Sequence, residues 1–295
     1  MTRQFEVCVV GSANLDLVAT TERLPDPGET VLGHSYAEHA GGKGLNQAVA
    51  AARAGAMTAF CAAVGDDDAG RQLLLVMQHD SVDAAWVQRL AGVPTGRALI
   101  GVSAAAENSI IVVAGANGLL TADHVRNAAE RARIVLTQLE VPVATVHAAL
   151  QAGRNAGATT ILNPAPATKL SADLLALCDV VIPNEHEVEQ LGGVDSLFRL
   201  GAAAVVVTLG ARGATLYLAD GTETHVPAFR VDAVDTTAAG DAFCGGFAAA
   251  LARGATMLGS LRFAAATAAI ATTRPGAVPS LPSREEIEAL LNAGA

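Results

Sequence analysis

Six short apolar runs recur along the chain, and each stops at a glycine, a proline or a polar residue. They are FEVCVVG (5–11), MTAFCAAVG (57–65), RARIVLTQLE (131–140), ATTILNPAP (158–166), LCDVVIPNE (177–185) and AAVVVTLG (203–210). Most are separated by Ala-rich stretches with helical character, such as LNQAVAAARAGA (45–56), which stops at Gly55. Runs that are apolar throughout, rather than alternating, belong to strands buried on both faces. Strands of that kind interleaved with helices predict a mainly parallel sheet with helices on both sides. In such a fold, functional residues gather at the carboxyl ends of the strands.

Two regions break this rhythm. Residues 12–40 hold LVAT, the turn LPDPGE and TVLGHSY; residues 96–113 hold GRALIGVS, a polar turn AAAEN (104–108) and SIIVV. Both predict hairpins, and together they suit a small sheet projecting from the main body. A lid, an edge that pairs with a second copy and a plain decoration of the sheet all fit that pattern. Further on, VDSLFRLGAA (194–203) leaves room for a short helix only, and ATLYLADGTETHVPAF (214–229) predicts a hairpin around Asp220-Gly221. The last helix is expected after Ser283, with Glu286 three residues on as a capping box.

The charge balance narrows the partners. With a formal net charge of -10, the chain is a poor match to nucleic acid or to a membrane surface, both of which favour basic patches. An anionic ligand would have to be held locally, by backbone N–H groups, a few basic side chains or a metal. No apolar run reaches the ~18 residues of a membrane span, and no signal region is visible, so a cytoplasmic protein is expected. Cys8, Cys61, Cys178 and Cys244 lie far apart with no C-x-x-C pair and suit small core residues. The histidines form no ligand-spaced cluster, and His186 is not part of H-E-x-x-H.

Several stretches carry possible chemistry. AGGKGLNQA (40–48) is a Gly-rich turn into a helix. It fits neither the P-loop nor the dinucleotide spacing, and it serves equally as a ligand cradle or a tight turn. GSANLD (11–16) places Asn14 and Asp16 just past the first strand, where an amide and a carboxylate suit paired hydroxyls or a turn. Glu140 ends a strand in TQLEVP, and PNEHEVE (183–189) puts Asn184 and Glu187 at a helix start, where capping is the simpler role. TLGARG (208–213) is a glycine-bearing loop after a Val-rich strand. DTTAAGDAFCGG (235–246) turns into a helix. There Ala238, Ala239, Gly240 and Asp241 would offer free N–H groups to phosphate, with the Asp241 carboxylate beside them as a proton acceptor; a plain capped helix is the other reading.

Taken together, GGKGLNQAVAAARAGA (41–56) and DTTAAGDAFCGGFAAAL (235–251), with LNPAPA, PNEHEVE and TLGARG in order between them, resemble the ribokinase (PfkB-type) family of sugar and nucleoside kinases. FRVDAVDTTAAGD and AIATTRPGAVPS are similar to the ribose-phosphorylating branch. The resemblance spans essentially the whole chain. It implies one ribokinase-like α/β domain over 1–295: a three-layer sandwich around a mainly parallel sheet, with segments of about 12–40 and 96–113 as a β-sheet lid that also forms a homodimer contact. It implies ATP-dependent phosphorylation of D-ribose at O5, with Asp241 as base and the amides of residues 238–241 as the anion hole. Asn14, Asp16, Gly42, Lys43, Asn46 and Glu140 match sugar contacts. Asn184, Thr208, Gly210, Arg212, Gly213 and Gly240 match the nucleotide side, and Glu187 a Mg²⁺-linked position. Asp235, Thr237, Ala271, Arg274, Gly276 and Ser280 match a K⁺ site. Two departures stand out: the stretch between Gly192 and Val205 is short by about a helix, and Ala265 replaces a polar residue of some relatives. A same-fold kinase for 2-deoxyribose, another sugar or a nucleoside, and a sugar sensor without turnover, are the alternatives.

Overall fold

Strand β1 (Phe5–Val10) shows why the apolar runs are continuous. Val7 and Val9 pack into one hydrophobic layer and Cys8 and Val10 into the opposite one, and all four are fully buried. The computed structural model describes residues 3–105 and 107–293. After β1 come β2 (Asn14–Thr21), β3 (Gly33–Gly41), α1 (Lys43–Arg53), β4 (Thr58–Gly65), α2 (Asp68–His79) and β5 (Val87–Leu90). Next are β6 (Gly96–Ser103), β7 (Asn108–Val113), α3 (Ala122–Ala129), β8 (Ala132–Thr137), α4 (Val143–Asn155) and β9 (Thr159–Leu162). The chain continues through α5 (Ala172–Leu175), β10 (Val180–Val181), α6 (Glu185–Gln190), α7 (Val194–Arg199) and β11 (Ala204–Thr208). It closes with β12 (Ala214–Leu218), β13 (Glu223–Val226), α8 (Ala239–Ala252), α9 (Met257–Ala271) and α10 (Arg284–Ala293).

Nine strands form one sheet in the order β13-β12-β11-β10-β9-β8-β1-β4-β5. All neighbours are parallel except at the β11–β12 and β12–β13 pairs. That last hairpin turns at Asp220-Gly221, as expected, with Asp220 Oδ1 accepting from Thr222 N at 2.9 Å. Residues of α1, α2, α8, α9 and α10 pack on one face of the sheet, and residues of α3, α4, α5 and α7 on the other. This is the three-layer α/β arrangement. Strand β1 lies between β4 and β8, so the chain winds away from it in both directions. The crevice above its carboxyl end is the switch point at which such sheets take ligands.

The two expected hairpins pair with each other. β2 and β3 are antiparallel, β6 and β7 are antiparallel, and β2 runs parallel to β6, which gives one four-stranded sheet, β3-β2-β6-β7. Every residue of β7 is exposed, including Ile110, Ile111, Val112 and Val113. The expected turn at 104–108 includes Ala106, which lies outside the described residues. Strand β5 was not legible in the sequence: VQRL (87–90) has neither an apolar run nor alternation, and it forms by pairing along the edge of β4.

Helix α7 is short, as its stretch of sequence requires. Ser283 N donates to Glu286 Oε2 at 2.8 Å and Glu286 N to Ser283 Oγ at 3.4 Å, the reciprocal cap expected before α10. The four cysteines are buried and free. No helix among the described residues is long and apolar enough to cross a membrane.

Candidate active site

The site forms where α1 and α8 touch. Both helices are built from small residues on their facing sides, and the contact is closest at Gly245. A methyl group there would sit 2.5 Å from Ala50 Cβ and 2.6 Å from Gln47 O. One turn earlier, Asp241 lies opposite Asn46 and Gln47. Asn46 Nδ2 donates to Asp241 Oδ2 and Gln47 Nε2 to Asp241 Oδ1, each at 2.9 Å. Asp241 is 8% exposed. Burial drives its pKa above the ordinary carboxylate value; Lys43 and the two amide donors pull the other way, and Glu140 adds to the rise.

Helix α8 starts from Ala238 in a left-handed conformation, φ 58°, a position an alanine rarely takes. The first amides of any helix lack partners inside it. Here the Ala239 N–H is already used, donating to Thr236 O at 3.2 Å. Among the described residues, no acceptor is recorded for the amides of Ala238, Gly240 and Asp241. The anion hole expected over 238–241 is therefore narrower by one donor in this conformation.

Asn14, Asp16, Gly42, Lys43 and Glu140 converge around the ends of β1 and β8. Gly42 takes φ 90°, and any side chain on it would strike the backbone of Asn14, 2.8 Å away. This turn leads into α1, and Lys43 N donates to Glu140 Oε2 at 3.1 Å. Glu140 also accepts from Ser12 Oγ. Asn14 Oδ1 accepts from Asn117 Nδ2 at 2.7 Å, and Asn117 in turn bridges Ala13 N and Ala13 O. Asp16 packs into the turn at Gly41, where a methyl would come within 2.1 Å of its Oδ2. Its pKa is raised from 3.8 to about 7, first by burial and then by the charges of Glu140 and Asp241. The Lys43 ammonium faces Asp241, Glu140 and Glu187, which outweigh its burial and raise its pKa.

Two cavities open beside this group. A cavity of about 220 Å³ is lined by Lys43, Asn163, Asn184, Glu187 and Asp241, with Ala238 and Gly240 in its wall. A second, of about 450 Å³, is mostly apolar and is lined by Gly210, Gly213, Phe229, Phe243, Ala265 and Ala268 among others. Thr208 and Gly240 border both. Asn184 and Glu187 form a capping box at α6: Asn184 Oδ1 accepts from Glu187 N and Glu187 Oε2 from Asn184 N, both at 2.8 Å. Glu187 thus caps a helix and lines the smaller cavity, and burial raises its pKa. Arg212 does not line either cavity; its guanidinium pairs with Glu185 on the surface.

The residues expected around a cation meet at Asp235. Its Oδ1 accepts from Thr237 N (2.8 Å) and Thr237 Oγ1 (2.6 Å), and its Oδ2 from Gly276 N (2.8 Å). These bonds hold its pKa low against partial burial. Arg274 is turned to Glu286, and Ser280 Oγ donates to Ala277 O.

Five polar residues of the site were not singled out from the sequence: Ser12, Gln47, Asn117, Gln138 and Asn163. Ser12, Gln47 and Asn117 each bond a residue that was, and Gln138 and Asn163 reach the site through Gln47. In the sequence they read as turn, helix or strand-end residues, and only the folded chain brings them to the site. A buried carboxylate, a lysine, free helix-start amides and a large apolar cavity suit proton abstraction from a hydroxyl with transfer of an anionic group.

Comparison with known proteins gives the family. Residues 4–284 match the model of the pfkB family of carbohydrate kinases. A ribokinase of Haemophilus influenzae is 39% identical over 293 residues, covering 94% of this chain and 95% of that protein. A deoxyribokinase of Salmonella typhi is 35% identical over 304 residues, covering 98% and 99%. Among solved structures, Arabidopsis thaliana ribokinase complexed with ribose and ATP aligns with a TM-score of 0.91 at 32% identity, covering 99% of each chain.

Proposed function

Because the chain belongs to the pfkB family of carbohydrate kinases, we propose that it transfers the γ-phosphoryl group of ATP to the 5-hydroxyl of D-ribose, giving ribose 5-phosphate and ADP. The observation that carries this reading is Asp241, a buried carboxylate held by two amides on the wall of a cavity that also holds Lys43. Ribose binding by Asn14, Asp16, Asn46, Glu140 and the Gly42–Lys43 turn leaves O5 facing Asp241. Asp241 takes the hydroxyl proton as the oxygen attacks phosphorus, and ADP leaves on the opposite side. The amides of Ala238, Ala239, Gly240 and Asp241, with Lys43, offset the charge on the transferred group. Engaging Ala239 requires its bond to Thr236 to open. ATP lies along Asn184, Thr208, Gly210 and Gly213, with its base in the larger cavity against Ala265; Arg212 would have to leave Glu185 to reach it.

Among the described residues, no three His, Cys, Asp or Glu side chains are placed to hold a metal ion by themselves. That donor set suits Mg²⁺ arriving on the nucleotide phosphates, with Glu187 as its protein-side partner. Bound Mg²⁺ neutralises phosphate charge. Asp235, tied to Thr237 and to Gly276 of the loop Arg274–Ser280, is the carboxylate we assign to a K⁺ site, with the carbonyls of Thr237 and Ala271 as its further ligands. The four-stranded sheet serves as the lid of a single domain over 1–295, and the bare apolar strand β7 is its homodimer edge. Action in the cytoplasm belongs to the same reading.

A second acceptor, 2-deoxyribose, is favoured by the 35% identity to a deoxyribokinase. The test is ADP release from Mg²⁺–ATP with D-ribose, 2-deoxyribose, fructose and adenosine, each in K⁺ and in Na⁺. Turnover on ribose that rises with K⁺ is expected. Faster turnover on another acceptor reassigns the substrate, and sugar binding without ADP release refutes the kinase.

A further inference from the structure

Asp241 is gripped from two sides, and the two grips differ in kind. Asn46, assigned above to the sugar, has no partner for its Oδ1 among the described residues, which leaves that atom to accept from a ligand. Gln47 is fully buried and has no route to any substrate. Its amide nevertheless meets the carboxylate directly, and everything around it fixes which way round it lies. Gln47 Nε2 donates both hydrogens, to Asp241 Oδ1 at 2.9 Å and to Asn163 Oδ1 at 3.1 Å. Gln47 Oε1 accepts from Gln138 Nε2 at 2.5 Å. Asn163 cannot reverse, because its Nδ2 donates to the Ile182 carbonyl at 2.8 Å. Each amide has one orientation that satisfies its neighbours.

From this network we infer that Gln47, locked by Gln138, is a positioning residue that sets the orientation and charge state of the Asp241 carboxylate. The inference rests on the reading of Asp241 as the base. Gln138 follows β8 directly and lies two residues before Glu140, so the lock ties the base to the strand end that holds the acceptor. The charged and titratable groups facing Asp241 are Lys43 at the start of α1, Glu140 after β8, Asp16 on β2, Glu187 on α6 and Cys244 on α8 itself. Of these only Lys43 favours the carboxylate when charged. The Asn46 and Gln47 donors supply the remaining opposition to burial. Removing the Gln47 donor leaves a buried carboxylate with one amide, and its protonated form gains.

Gln47→Met keeps the length of the side chain and removes the donor. The experiment measures kcat and kcat/KM for the sugar from pH 5 to 9, with sugar affinity by calorimetry without nucleotide, beside wild type and Asp241→Asn. Gln47→Met is expected to move the acid limb of the rate profile upward by about one pH unit, a loss of about tenfold on the acid side that is regained on the alkaline side. Sugar affinity should stay within about threefold, because Gln47 touches no ligand. Gln138→Met leaves the donor but frees it to swing; it should move the same limb the same way by about threefold, and it carries the test should Gln47→Met fail to fold. A uniform fall in rate with the limb unmoved, or a loss confined to sugar affinity, overturns the inference. Undiminished turnover in Asp241→Asn overturns both it and the reading it rests on; an inactive Asp241→Asn with an unmoved limb in both Met variants overturns the inference alone.

Discussion

Asp16 stores a cost that the folded enzyme bears at neutral pH, and Asp16→Asn should release it. In the unfolded chain this carboxyl ionises near its ordinary value of 3.8; in the fold it holds its proton to about 7, because it is buried and faces Glu140 and Asp241. Between these two values the folded state binds the extra proton, so stability falls as pH rises. The loss starts near pH 4 and is complete above pH 7. A shift of about three units corresponds to ~4 kcal/mol, and partial solvent access at Asp16 brings this to about 2–4 kcal/mol. For a chain of this size that equals about 3–6 °C in Tm. The assay is thermal unfolding of wild type and Asp16→Asn, without ligand, from pH 4.5 to 8.5. The variant should unfold at nearly the wild-type temperature at the acid end and well above it at pH 8. Adding ribose should raise the wild-type Tm and leave that of the variant almost unmoved, since the carboxylate proposed to bind its hydroxyls is gone. A Tm difference that does not change with pH, or a variant less stable than wild type at pH 8, would refute the reasoning.

Gly245→Val would drive a side chain into Ala50 and the Gln47 carbonyl, with an expected loss of about 1–3 kcal/mol by denaturant unfolding. Because the same contact sets Asp241 against Asn46 and Gln47, kcat should fall even where the protein remains folded. Asp235→Ala unties Thr237 and Gly276 from one carboxylate; activation by K⁺ over Na⁺ should disappear, while ribose affinity changes by less than about threefold. An unchanged K⁺ response would remove Asp235 from the proposed cation site.

The sequence made the layered sheet legible because burial on both faces leaves its mark in every strand, from FEVCVV to AVVVT. Asp241 stood out in a stretch dense with glycine, and Asn46 through the family resemblance alone. Gln47 was invisible for a geometric reason. Adjacent residues on a helix point about 100° apart, so nothing in NQA says that both side chains reach one carboxylate; the closeness of α8 at Gly245 decides that. Lys43 reads as part of the acceptor turn, yet it also lines the smaller cavity. Ala238 carries no sign of its left-handed backbone, which glycine would have announced. Asn184 and Glu187 were legible twice over, as helix cap and as cavity wall, and the fold uses both.

Helix α8 has eleven of its fourteen residues buried, most of them alanine or glycine. A core assembled from single carbons has an unusual pattern of tolerance. Loss of a methyl from such a helix removes little contact and costs about 1 kcal/mol, mostly through backbone freedom. Gain of a methyl has nowhere to go at Gly245, against the Gln47 carbonyl of α1, or at Gly246, against Thr267 of α9. Random substitution in most cores does its damage by hollowing them out; here it does so by crowding. Drift along α8 is therefore confined to the smallest side chains, and the spacing between Asp241 and α1 is preserved by the same restriction.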